Sequence, residues 1–94
     1  MAIKVEIPSP LQPFTELQPT IDLNARTVGE ALAQLSSRYE GLRKHLFTEA
    51  GKLRTFVNLY LNDEDVRFLA REATPLEDDD VLAIIPTIAG GFGL

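Results

Sequence analysis

Thr27-Val28-Gly29-Glu30-Ala31-Leu32-Ala33-Gln34-Leu35-Ser36-Ser37-Arg38-Tyr39 is the long helical stretch of this chain, and its place between extended segments decides the fold. Thr27 and Glu30 form a capping box. The Thr27 hydroxyl can accept from the backbone N–H three residues on, and the Glu30 carboxylate can reach back to the N–H of Thr27. Behind the box, Val28, Ala31, Leu32, Leu35 and Tyr39 recur at helical spacing and give one apolar stripe. Gly41 suits a C′ position, so the helix is expected from about 28 to 39. Leu42, Leu46 and Phe47 suggest one further short turn packed under a sheet.

Upstream, Ile3, Val5 and Ile7 alternate with Lys4 and Glu6, the period of a half-buried strand. Pro8, Pro10 and Pro13 interrupt any ladder, so 8–16 reads as a loop, with Leu11 and Phe14 anchoring it to the core. A second short strand at 20–23 should form an antiparallel hairpin with the first. Downstream, Thr55-Phe56-Val57-Asn58-Leu59-Tyr60-Leu61 has the β-branched and aromatic content of a central strand. Asn62-Asp63-Glu64-Asp65 reads as a turn, and Val66-Arg67-Phe68 as a brief strand. A second acidic turn, Thr74 to Asp80, leads into the last strand, Val81-Leu82-Ala83-Ile84-Ile85, which Pro86 closes.

The order is strand, strand, helix, strand, short strand, strand. With the final strand beside the first, this is an α+β fold, a β-grasp roll of about five strands in a mixed sheet packed on one main helix. The other sheet face stays open to a partner. There, beside the end of the last strand, Ile85 and Pro86 are the candidate docking residues. A strand apolar on both sides would instead bury Ile85.

Ninety-four residues make one small domain, expected over 1–86, followed by the tail 87–94. The absence of cysteine excludes disulfides, thiolate metal sites and a cysteine nucleophile. The acids of 62–65 are too tightly spaced for a calcium loop and lack its glycine and final glutamate, so they read as a solvated turn. Those of 77–80 read the same way, and no metal site is expected. His45 has no carboxylate or hydroxyl at a recognisable partner spacing and reads as a surface residue. The N-terminal stretch lacks the apolar core of a signal peptide, and no apolar run is long enough for a bilayer, which points to a cytoplasmic protein without membrane partners. The net charge is −5. Residues 58–94 carry −6 and residues 1–57 carry +1, a distribution that argues against nucleic acid and suits docking on a basic protein surface.

The tail is Thr87-Ile88-Ala89-Gly90-Gly91-Phe92-Gly93-Leu94. Three glycines in its last five residues, and no charge, make a poor helix and a poor core strand. They suit a thin extended segment that threads into a narrow channel. With this tail, the run from Pro75-Leu76 through Asp80-Val81 to Pro86, and the strand-turn-strand from Phe56 to Phe68, the chain resembles the β-grasp, ubiquitin-like sulfur carriers. This ThiS/MoaD-like family includes the small subunit of molybdopterin synthase and the carriers of thiamine and cysteine biosynthesis. Phe56 to Phe68 resembles the cysteine-biosynthesis carrier in particular.

The resemblance implies a carrier acted upon by other enzymes, with no catalytic residue and no permanently bound cofactor of its own. An E1-like adenylating enzyme would join the Gly91 carboxylate to AMP from ATP. A sulfur donor or sulfurtransferase would then displace AMP to leave a thiocarboxylate, and an acceptor sulfhydrylase would take the sulfur. Thr87, Ile88, Ala89 and Gly90 would be the slender approach to Gly91. Because the family's active form ends at the second glycine, Phe92, Gly93 and Leu94 would be a processing extension, removed by a JAMM-type metalloprotease. Two other functions share these features: a small subunit whose tail inserts into a molybdopterin-synthase-like partner, and a ubiquitin-like modifier joined to lysines through Gly91.

Overall fold

The computed structural model describes residues 2–55 and 57–86. Five strands and two helices follow in order: β1 Ala2–Glu6, β2 Thr20–Asn24, α1 Val28–Arg38, α2 Glu40–Leu46, β3 Val57–Leu61, β4 Glu64–Asp65 and β5 Val81–Pro86. The sheet order is β2-β1-β5-β3-β4. β5 lies parallel to β1 and antiparallel to β3, so the last strand occupies the middle of a mixed sheet, beside the first as expected. Ile3, Val5, Ile21, Leu23, Leu59, Leu82 and Ile84 point from the strands into a core that Val28, Ala31, Leu32 and Leu35 of α1 and Leu42 and Leu46 of α2 close. The opposite face of β1 and β2 is exposed, and there Lys4 Nζ pairs with Asp22 at 3.1 Å.

The capping box forms with one change of partner. The Glu30 N–H donates to Thr27 Oγ1 at 3.1 Å, but the Glu30 carboxylate reaches the N–H of Arg26 rather than that of Thr27. A third helix-start amide, that of Val28, donates to the Thr74 carbonyl, and Leu76 N–H returns a bond to Arg26 O. The start of α1 is thus tied to residues 74–76 as well as capped by its own side chain. Thr27→Ala is expected to cost about 1 kcal/mol, read as a lower urea midpoint at constant slope.

Three local expectations are corrected. Gly41 does not end α1. The helix stops at Arg38, Tyr39 leaves the helical conformation at φ −126° and ψ 86°, and α2 begins at once, with Gly41 inside it. What the glycine supplies is room: a Cβ there would stand 3.1 Å from Cδ1 of Phe14, whose ring stacks on His45 with centroids 4.3 Å apart. Second, the proline-rich segment is a 3-10 helix, Ser9–Thr15, a geometry that dispenses with the long ladder the prolines would break, and Leu11 is fully buried beneath it.

Third, Val66-Arg67-Phe68 is a 3-10 turn and not a strand. Asn62 and Asp63 both take left-handed φ, 49° and 72°, and make a tight two-residue hairpin turn, so the returning strand is Glu64–Asp65. Asp65 then ends it. Its side chain caps the next turn through the N–H of Arg67 and holds the Arg67 guanidinium with bonds of 2.7 to 3.2 Å. These bonds, first from the guanidinium and then from the backbone N–H, hold the Asp65 carboxyl below its ordinary pKa, against the opposing effect of burial.

A carboxyl whose pKa is lower folded than unfolded stabilises the fold at pH values above about 4, and that contribution is lost as pH falls through the folded value. Stability is therefore expected to drop on acidification below about pH 4 more steeply in the wild type than in Asp65→Asn. Chemical denaturation at stepped pH measures the difference. Parallel curves would remove Asp65 from the acid response.

The acidic turn before β5 is also more than a solvated surface. Asp80 Oδ2 accepts from the Glu77 N–H at 2.8 Å, its Oδ1 accepts from the Asn62 amide at 2.9 Å, and Asp78 Oδ1 accepts from the Ala2 N–H at 3.0 Å. Asn62 Oδ1 in turn accepts from the Val81 N–H at 2.9 Å. These acids fix the register in which β5 starts.

Candidate functional site: the exit of the central strand

β5 runs from this clamped start to a less supported end. β1 pairs with it only as far as Ala83, opposite Glu6, whereas β3 follows it to Pro86, opposite Val57. Among the described residues, the last three of β5 therefore have one neighbouring strand. Alternation along the strand is clear: Leu82 and Ile84 are buried, Val81 and Ala83 half-buried, and Ile85 is 44% exposed. A strand buried on both sides is thereby ruled out, and Ile85 belongs to the open face.

On that face Ile85 stands opposite Asn58, one step from the pair Tyr60 and Ala83. Asn58 and Tyr60 are half-buried. The sequence reading assigned both only to a strand. The alternation Val57, Leu59, Leu61 against Asn58, Tyr60 carries the signal that places them on the open face. Thr87, Ile88, Ala89, Gly90, Gly91, Phe92, Gly93 and Leu94 lie outside the described residues.

Among the described residues no three His, Asp or Glu side chains converge as a metal site, and no helix is long and apolar enough to cross a membrane. The site consists of the end of β5, with an exposed isoleucine, and Pro86, the last of the described residues. A five-stranded mixed sheet grasping a helix, with the last strand central, defines a ubiquitin-like β-grasp protein.

Residues 5–91 match the ThiS family, and the chain belongs to it. It is 40% identical over 93 residues to the sulfur carrier protein CysO of Mycobacterium tuberculosis, an alignment covering 97% of this chain and all of that one. It is 38% identical over 65 residues to small archaeal modifier protein 3 of Haloferax volcanii, covering 69% of this chain and 70% of that one. The CysO chain in a crystal structure of the Amycolatopsis orientalis BexX/CysO complex superimposes with a TM-score of 0.85 at 38% identity, covering 96% of this chain and 100% of that one.

Proposed function

We propose that this protein is a sulfur carrier of the CysO type, a substrate of partner enzymes and not itself a catalyst. The observation that carries the reading is the 40% identity to CysO along 97% of the chain. The family match, which ends at Gly91, supports the choice of that residue as the reactive terminus. In this reading residues 1–86 are the β-grasp domain and 87–94 its tail, and a metalloprotease of the JAMM type removes Phe92, Gly93 and Leu94. The freed Gly91 carboxylate attacks the α-phosphorus of ATP on an E1-like enzyme, giving the acyl adenylate and releasing pyrophosphate. Hydrosulfide from a sulfur donor then displaces AMP, leaving a thiocarboxylate for a sulfhydrylase acceptor. Glycine at the reacting end lets the backbone approach the nucleotide without a Cβ in the way.

Intact mass after coexpression with an adenylating enzyme, a metalloprotease and a sulfur source tests this reading. A chain ending at Gly91, with one oxygen exchanged for sulfur, is the expected result. Persistence of the full-length mass, or a Gly91 form that never gains sulfur, would overturn it. The 38% identity to an archaeal modifier protein favours a second use of the same carboxylate, transfer to lysine amines, which would appear as higher-mass conjugates carrying this chain.

A further inference from the structure

The division of charge into sequence halves conceals a polarity along β5. Asp63, Glu64, Glu77, Asp78, Asp79 and Asp80 gather where the strand begins: Val81 N–H bonds to Asn62, and Leu82 pairs with Leu61 beside the Asn62–Asp63 turn. The six residues of β5, five steps along the strand, place its far end about 17 Å away. At that end, Val57 pairs with Pro86 and its N–H donates to Arg54 O at 3.0 Å, so Arg54 lies one turn from the root of the tail. A groove of about 560 Å³ opens there, with Lys52, Arg54, Arg67 and Arg71 in its lining against a single acid, Glu72. Arg67 is already held by Asp65, and Arg54 Nε donates to the Lys44 carbonyl. Lys52 and Arg71 are exposed and belong to no ion pair among the described residues. On the other flank of the exit, Glu6 stands opposite Ala83. A protein of net charge −5 thus concentrates cations on the β3 side of the tail root.

We infer that the enzyme receiving the tail presents an acidic surface to this groove, with carboxylates meeting Lys52 and Arg71. The inference rests on the carrier reading above and deepens it by giving the chemistry of the partner's docking face. It also reverses the expectation of a basic partner drawn from the acidic half of the sequence, because the acids stand at the far end of the strand from the tail. Opposite potentials on docking faces raise the encounter rate and fix orientation, and salt weakens both.

The test compares the form ending at Gly91 with its Lys52→Glu/Arg71→Glu variant in ATP–pyrophosphate exchange by the adenylating enzyme. Both changes are on exposed side chains, and the thermal melt should be near that of the wild type. KM is expected to rise about tenfold or more at low salt with kcat retained, and the salt dependence of kcat/KM should flatten. An unchanged KM and salt dependence in the folded variant, with the wild type adenylated, would overturn the docking inference alone. If the wild type is not adenylated at all, the carrier reading fails and takes this inference with it.

Discussion

Leu82→Ala is expected to lower the unfolding free energy by about 3–5 kcal/mol, the largest loss from any single truncation in β5. Leu82 is fully buried on the central strand, between Val5 of β1 and Leu61 of β3. Truncation removes apolar surface and leaves a cavity, and the cost depends on how far the walls can relax. Here a hydrogen-bonded strand flanks the site on each side, and the residue is fully buried in the core, so collapse is restricted. A domain of this size has about 5–15 kcal/mol in total, so such a loss leaves little margin. The melting temperature should fall by roughly 12–40 °C. Ile85→Ala, three positions on and exposed, should cost less than about 1 kcal/mol. Urea denaturation of both variants decides the matter: equal small losses would contradict a central, one-sided β5.

Whatever depends on spacing within one element was legible in the sequence. The capping residue, the stripe of α1, the alternation of β1 and the apolar β5 sufficed for the β-grasp order. What misled were residues whose role is set by a partner far along the chain. Gly41 looks like a helix stop until Phe14, brought in from the proline-rich segment, fills the space above it. Asp65 looks like one more acid in a turn until Arg67 folds back on it and ends the strand. Asp78 and Asp80 look solvated until Ala2 and Asn62 arrive as donors. The cations at the tail root were invisible for the same reason, since Lys52 and Arg54 precede β3 while Arg67 and Arg71 follow β4, and only the pairing of β3 with β5 brings them to the exit.

Of the candidate site, Ile85 was legible as an apolar residue before a proline. Its exposure was not, because a run of five apolar residues fits a strand buried on both faces as well as one. The half-burial of Ala83 and Val81 on the same side settles which. One exposed isoleucine at the end of a strand is a small surface, but docking energy concentrates in a few central apolar anchors.

Ile85→Asp should therefore leave the domain folded while reducing adenylation of the form ending at Gly91 by about 30- to 1,000-fold in kcat/KM, the equivalent of losing an anchor worth roughly 2–4 kcal/mol. The fold tolerates the change because the side chain is already 44% exposed and β1 no longer flanks the strand at that point. The loss should appear in KM, since the contact is made in the bound complex and in the transition state alike. Ile85→Ala separates apolar docking from charge: it removes the anchor without adding an acid, so a smaller loss in the same direction is expected. Ile85→Lys carries the argument one step further. If the partner face is acidic, lysine should retain more activity than aspartate at low salt and lose that advantage as salt rises. Unchanged adenylation in a folded Ile85→Asp would remove Ile85 from the docking face. Equal losses for aspartate and lysine at every salt concentration would leave the apolar contact and take away the acidic partner.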